Sequence, residues 1–177
     1  TVVDIRERTG QWVGRGFYNG HSRISLRLLT TDPDEQIDAG FFKRKLGEAV
    51  SLRRDLLKLD EVTNACRLVH SEADGLSGLV VERYGAHLVV QIPSAAMAVR
   101  LPLLIEAIVA RWQPQSITLR SDREMSKFEG LALDEGGRIG ATLPIVFLSA
   151  RADLRGQEEG SIASPVAYLT KPFKVED

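Results

Sequence analysis

One cysteine, three histidines and almost no net charge set the first limits on this 177-residue chain. With Cys66 alone, neither an intrachain disulfide nor a cysteine metal cluster can form, which fits a reducing, cytoplasmic setting. A metal centre needs three or four ligands at supporting spacing, and three histidines supply little toward one, so no metal is expected. The formal net charge of −1 provides no overall field toward nucleic acid or a membrane surface, so any RNA contact must use a local patch. No apolar run reaches bilayer-spanning length and no signal peptide opens the chain, so no membrane partner is expected. The elbow G-x-S-x-G is absent, which argues against a serine nucleophile. Thr1 stands in strand-like sequence without a preceding Met, which hints at a fragment.

What is present is an ordinary globular mixture, 44% hydrophobic and 27% charged, long enough for one medium domain or two small ones. VVDIRE alternates apolar and polar residues, Thr9-Gly10 supplies a turn, and QWVGRGFY resumes the alternation. Asn19-Gly20 is the strongest hairpin signal, because both residue types tolerate positive φ. SRISLRLL then reads as a third strand, with Ile24, Leu26 and Leu28 on one face and Arg23, Ser25 and Arg27 on the other. That basic face, with Arg15, Tyr18 and His21 nearby in sequence, either meets a phosphate backbone or is a solvated strand surface.

A helix is predicted over residues 38–59, with Phe42, Leu46, Ala49, Val50 and Leu57 at helical spacing. Its other face carries Lys43, Arg44, Lys45, Arg53, Arg54 and Lys58, interrupted by Glu48 and Asp55, and reads as solvated helix. CRLVHSEADGLSGLVVERYGAHLVVQI gives three strands punctuated by Asp74-Gly75, Ser77-Gly78 and Tyr84-Gly85. A helix follows, with Pro102 in its first turn and Leu103, Leu104, Ala107, Ile108 and Trp112 as its apolar stripe; SITLR is a further strand. His70, Glu72 and Asp74 lack the spacing of a metal or catalytic set, Asp74 before Gly75 reads as a turn residue, and Cys66 reads as a small strand hydrophobe.

Three blocks together, GQWVGRGFYNGHSRISLRLLTTDPDEQIDAGFFKRKL, CRLVHSEADGLSGLVVERYGAHLVVQ and ITLRSDREMSKFEGL, resemble bacterial 5-methylcytosine methyltransferases of large-subunit ribosomal RNA. The resemblance runs in family order from about Val2 to Leu133. It implies that residues 1–31 are the end of a PUA domain, a small RNA-binding β-barrel whose opening strands are missing. It also implies that residues 66–133 form the family's central domain. The family uses S-adenosylmethionine, bound by a domain expected after the Glu-Gly-Leu block. DEGGRIGA, with Gly136, Gly137 and Gly140, follows no strand and does not make the glycine turn such a domain needs. The family's catalytic cysteine lies in that domain, so Cys66 does not inherit the role and no catalytic residue is assigned.

The last quarter is similar to something else. TLPIVFLSARAD and PVAYLTKPF resemble the end of a response-regulator receiver domain, in which a Ser or Thr and a Lys surround a phosphorylatable Asp. On that reading Ser149 and Lys171 flank Asp122 of SDREMSKFEG, with Mg2+ as cofactor. The acidic pair that holds Mg2+ in receivers has no counterpart in GLVVERYG, and the helices a receiver needs are poor here.

The expectation is therefore an α+β chain: a partial PUA-like domain at 1–31 and a linking helix region at 32–65. A ββ-α-β central domain at 66–133, a glycine-rich linker at 134–141 and a short β-α-β receiver-like tail at 142–177 follow. The expected activity is binding of ribosomal RNA through Arg15, Tyr18, His21, Arg23 and Arg27, without cofactor or catalysis in this chain. The alternatives are a degenerate receiver phosphorylated at Asp122, or a fusion or assembly product without selected activity. The oligomeric state stays open.

Overall fold

Alternating side chains in the first thirty residues give three antiparallel strands, β1 (Val2–Arg6), β2 (Trp12–Tyr18) and β3 (Leu26–Thr30), in the order β1-β2-β3. In this computed structural model, residues 1–120 and Glu129 are described, together with the backbone of two later strands. The first connection closes as expected, with Gly10 at φ 89 and its amide donating to the Glu7 carbonyl. The second does not form a two-residue turn at Asn19-Gly20. A wider loop spans residues 19–25, closed by the Asn19 amide on the Ser25 carbonyl at 2.8 Å, and Gly20 does not adopt positive φ.

Two irregularities shape this sheet. Ile5 pairs with Gly14 and Arg6 with Trp12, so Val13 is skipped; Gly16 pairs with Leu28 and Arg15 with Thr30, so Leu29 is skipped. A bulge of this kind flips the following side chains to the other face. It turns Trp12 toward Arg6 and Arg15, whose guanidinium carbons each lie 5.5 Å from the ring centroid. Gly14 and Gly16 let β3 approach closely: a Cβ on Gly16 would overlap the Arg27 carbonyl, and one on Gly14 the Thr30 carbonyl.

The linking segment is helical, but shorter than its hydrophobic spacing predicts. Helix α1 (Ala39–Ser51) starts at Asp38, whose carboxylate accepts the Phe41 amide at 2.9 Å. Its buried stripe is Phe41, Phe42, Leu46, Ala49 and Val50. Beyond Ser51 the chain makes one π-helical turn, closed by the Leu57 amide on the Leu52 carbonyl, and then a left-handed Lys58. The wider turn rotates the register, so Leu57 leaves the buried stripe and is exposed.

The central sheet has the order β4-β5-β6-β7-β8-β9. Strands β4 (Ala65–His70), β5 (Val80–Tyr84) and β6 (His87–Gln91) are antiparallel, with Gly85 at φ 61 in the β5–β6 turn. A short helix, α2 (Ala95–Ala98), and then α3 (Leu101–Trp112) lead to β7 (Ser116–Arg120), parallel to β6. Pro102 lies in the first turn of α3, and Leu104, Ile105, Ala107 and Ile108 are buried. Strands β8 (Ile145–Ser149) and β9 (Tyr168–Thr170) continue the same sheet in parallel, with Ser149 paired to Thr170. Asp122, Lys171, the side chain of Ser149 and the glycine-rich 134–141 stretch lie outside the described residues.

Helix α1 packs on α3 and β4, and one core runs through both sheets: Phe17 and Leu29 cluster with Phe42, Leu46, Leu68, Val90, Met97 and Ile108. Among the described residues no helix is long and apolar enough to cross a membrane.

Two glycine substitutions should move stability in opposite directions. Gly16→Ala forces β2 and β3 apart and is expected to cost roughly 1–3 kcal/mol. Gly47→Ala sits in α1 with open space at its Cβ and is expected to gain about 0.5–1 kcal/mol. Urea midpoints at unchanged m-value measure both.

Candidate nucleic-acid interface

The alternation of β3 runs as the sequence implies, but its faces are inverted. Leu26 and Leu28 are exposed at 45% and 46%, whereas Arg27 is 7% exposed. The expected basic surface is therefore turned inward at Arg27, because a buried carboxylate waits there. Arg27 Nη2 donates to Glu129 Oε1 at 3.0 Å, and Nη1 lies 3.4 Å from both Glu72 Oε1 and Ser77 Oγ.

Glu129 is 4% exposed and collects donors from three places. Ser22 Oγ donates to Oε1 at 2.5 Å, and the Ala95 amide donates to Oε2 at 3.2 Å. Asn19 Nδ2 donates to the Glu129 backbone carbonyl at 2.9 Å and reaches Oε2 at 3.4 Å. A buried carboxylate is tolerated only when it is paired and its lone pairs are filled, and both conditions are met here. Burial raises its pKa, but hydrogen bonds from Ser22, the Ala95 amide and Arg27, with the Arg27 charge, outweigh that and hold it below the ordinary 4.5.

The remaining residues expected to contact RNA fall into two environments. Arg15 is largely covered: Nε pairs with Asp4 at 2.7 Å and Nη1 donates to the Glu35 carbonyl at 2.5 Å. Tyr18, His21 and Arg23 are exposed, Tyr18 at the end of β2 and the other two on the 19–25 loop. The structure thus gathers Tyr18, His21 and Arg23 at one end of the first sheet, and places Arg15 and Arg27 beneath and beside it in ion pairs. Arg100 adds a further contact under the same sheet, stacked 4.5 Å from the Phe17 ring with Nη1 on the Ala96 carbonyl at 2.7 Å.

The polar residues of the β4–β5 connection have structural work. Asp74 binds Arg53 through two bonds of 2.7 and 2.8 Å and accepts the His70 amide at 2.5 Å, tying the end of α1 to this turn. Arg53, read from sequence as part of a solvated face, is therefore a structural arginine. Glu72 accepts from Ser77 at 2.6 Å. Among the described residues no group of histidine, cysteine, aspartate and glutamate could hold a metal. Cys66 is half-buried and packs against the core.

Sequence reasoning missed Glu129, Ser22 and Asn19. Asn19 and Glu129 lie 110 positions apart, and only the buried contact connects them. A glutamate inside KFEGL carries no local sign of burial.

The depressed pKa of Glu129 fixes the sign of a pH effect. Its contribution to stability is complete above the unfolded value and is lost as pH falls through the lower folded value. Wild-type stability should therefore drop below about pH 4.5 more steeply than that of Glu129→Gln, which is already weaker at pH 7. Urea denaturation of both chains between pH 3 and pH 7 measures the difference.

Comparison with known proteins finds similarity of sequence and of fold. A family model described as a PUA-like domain matches residues 1–31. Ribosomal RNA large subunit methyltransferase I from Escherichia coli strain SMS-3-5 is 38% identical over 148 residues, covering 81% of this chain and 37% of that protein. The same enzyme from strain K12 matches to the same extent, and that from strain O1:K1 is 37% identical. Among solved structures, SMU.776, a candidate methyltransferase complexed with SAH, superposes with a TM-score of 0.59 at 12% identity. That superposition covers 67% of this chain and 32% of the other. A candidate SAM-dependent methyltransferase from Streptococcus mutans superposes equally well, and both show likeness of fold. The chain spans little more than a third of the curated relatives' length, and over that stretch it is homologous to ribosomal RNA large subunit methyltransferase I.

Proposed function

We propose that this chain is the RNA-binding, substrate-recruiting portion of a ribosomal RNA cytosine methyltransferase-like protein, acting in the cytoplasm. S-adenosylmethionine binding and methyl transfer belong, on this reading, to a domain outside these 177 residues. The observation that carries it is the homology to ribosomal RNA large subunit methyltransferase I, which spans most of this chain. The proposed division follows: a partial PUA-like domain at 1–31, a linking helix region at 32–65, a central domain at 66–133, a linker at 134–141 and a tail at 142–177.

RNA contact is assigned to Tyr18, His21 and Arg23, which share one exposed end of the first sheet. Tyr18 offers an aromatic face for a base, and Arg23 a guanidinium for a phosphate. Arg15 and Arg27 hold the strands beneath them through Asp4 and Glu129.

Fluorescence anisotropy of the purified chain with large-subunit rRNA fragments, at several salt concentrations, tests this. Affinity should fall with salt. Arg23→Ala should reduce the log–log salt slope by about 1. Tyr18→Ala should weaken binding by roughly 1–3 kcal/mol at an unchanged slope. Absence of salt-dependent affinity for any fragment would overturn the reading.

A second reading draws on one observation, the parallel pairing of Ser149 with Thr170, which sets Ser149 next to the residue before Lys171 at the sheet's edge. On this reading the C-terminal part is a receiver-like module with Asp122 as phosphoacceptor. Incubation with acetyl phosphate and Mg2+ should then label Asp122, and Asp122→Asn should abolish the label; no label removes it.

A further inference from the structure

We propose that Glu129 is a positioning residue for RNA recognition: from outside the first sheet it sets the conformation in which residues 19–25 present His21 and Arg23. The inference rests on the RNA-binding reading above and adds to it a specific mechanical link between the recognition loop and the rest of the protein.

Each loop side chain that binds Glu129 makes a second bond that shapes the loop. Ser22 Oγ gives its proton to Glu129 and accepts the Ile24 amide at 3.0 Å. Asn19 directs Nδ2 at Glu129 and accepts the His21 amide on Oδ1 at 3.1 Å. Both arms are thereby tied to one residue, the Ile24 arm through the Glu129 carboxylate and the His21 arm mainly through the Glu129 backbone carbonyl. Ser22 is buried, whereas His21, Arg23 and Ile24 point outward, so the node lies directly under the displayed residues.

The polarity of the network requires an anion. A hydroxyl has one proton, so an acceptor below Ser22 sends that proton down and leaves a lone pair for the Ile24 amide. Below Asn19 the acceptor is the Glu129 backbone carbonyl, with Oε2 3.4 Å away, and it turns the NH2 group down and the side-chain oxygen toward His21. Arg27 and the Ala95 amide are also donors, so every group facing the Glu129 carboxylate supplies a proton. A glutamine would aim its own NH2 at one of them. The loop's apolar residue, Ile24, is exposed, and further closures include the Asn19 amide on the Ser25 carbonyl, the Ser22 amide on the Asn19 carbonyl and the Ser25 hydroxyl on the Ser22 carbonyl.

The test uses the full chain and a fluorescent large-subunit rRNA fragment, with amide hydrogen exchange followed by NMR. Glu129→Gln should speed exchange at Ile24 by about tenfold or more, and by less at His21, while Val90, in the core of β6, keeps its protection. Its RNA affinity should fall about fivefold or more, with an unchanged salt slope because no phosphate contact is removed. Should Glu129→Gln not fold, the double variant Arg27→Met/Glu129→Leu replaces the ion pair by apolar side chains and is expected to give the same two changes. Wild-type binding with variant affinity within twofold, or unchanged exchange at Ile24, overturns this inference and leaves the RNA reading standing. A wild-type chain that binds no rRNA fragment removes the RNA reading and this inference with it.

Discussion

A buried carboxylate, Glu129, governs how the first sheet sits on the rest of the protein. Taking a carboxylate out of water costs several kcal/mol unless charge and hydrogen bonds replace the solvent. Here one guanidinium, one hydroxyl and one backbone amide do so, with the Asn19 amide bridging to the adjacent carbonyl. Apolar contact at this junction comes from Phe17 and Leu29, which enter the shared core, with Arg100 stacked on Phe17. Apolar contact can slide by a fraction of a residue at little cost. A saturated carboxylate cannot, so the polar node fixes the register while the core supplies most of the energy.

The first sheet is prepared for this docking by its own chain chemistry. Skipping Val13 keeps Trp12, Arg15 and Phe17 on one face, and skipping Leu29 lets Arg27 and Thr30 both turn inward. Gly14 and Gly16 remove the two side chains that would hold β3 away. One end of that face, at Phe17 and Arg27, lies under the central part of the molecule. The other end carries Trp12 between Arg6 and Arg15.

Periodicity made most elements legible. The three N-terminal strands, α1, the β4–β6 strands, α3 and β7 all follow from alternation or helical spacing, and Gly10, Gly75 and Gly85 take the positive φ their turns require. All but one of the misreadings share one cause, contacts between residues distant in the chain. Arg27 looks like a surface cation until its partner, 102 positions away, is placed beside it. Arg53 looks solvated until Asp74 reaches it. Asn19-Gly20 resembles a tight turn, yet the Asn19 side chain is committed to Glu129 and the loop opens around that bond. Leu57 is misplaced by a local effect, the π-helical turn that resets the helix register.

Charge accounting then constrains what kind of RNA binding this surface can support. Much of the arginine complement is paired internally: Arg15 with Asp4, Arg27 with Glu129, Arg53 with Asp74, Arg67 with Glu82, while Arg54 and Arg83 share Asp60. With a net charge of −1, long-range attraction to a polyanion is weak. On the RNA-binding reading proposed above, affinity must come from a few short-range contacts, and few contacts suffice only when their geometry is set before binding, because each disordered side chain or loop residue would consume free energy on ordering. The 19–25 loop, held through Ser22 on the buried Glu129 carboxylate, is the part of the first sheet whose geometry meets that requirement on the proposed reading.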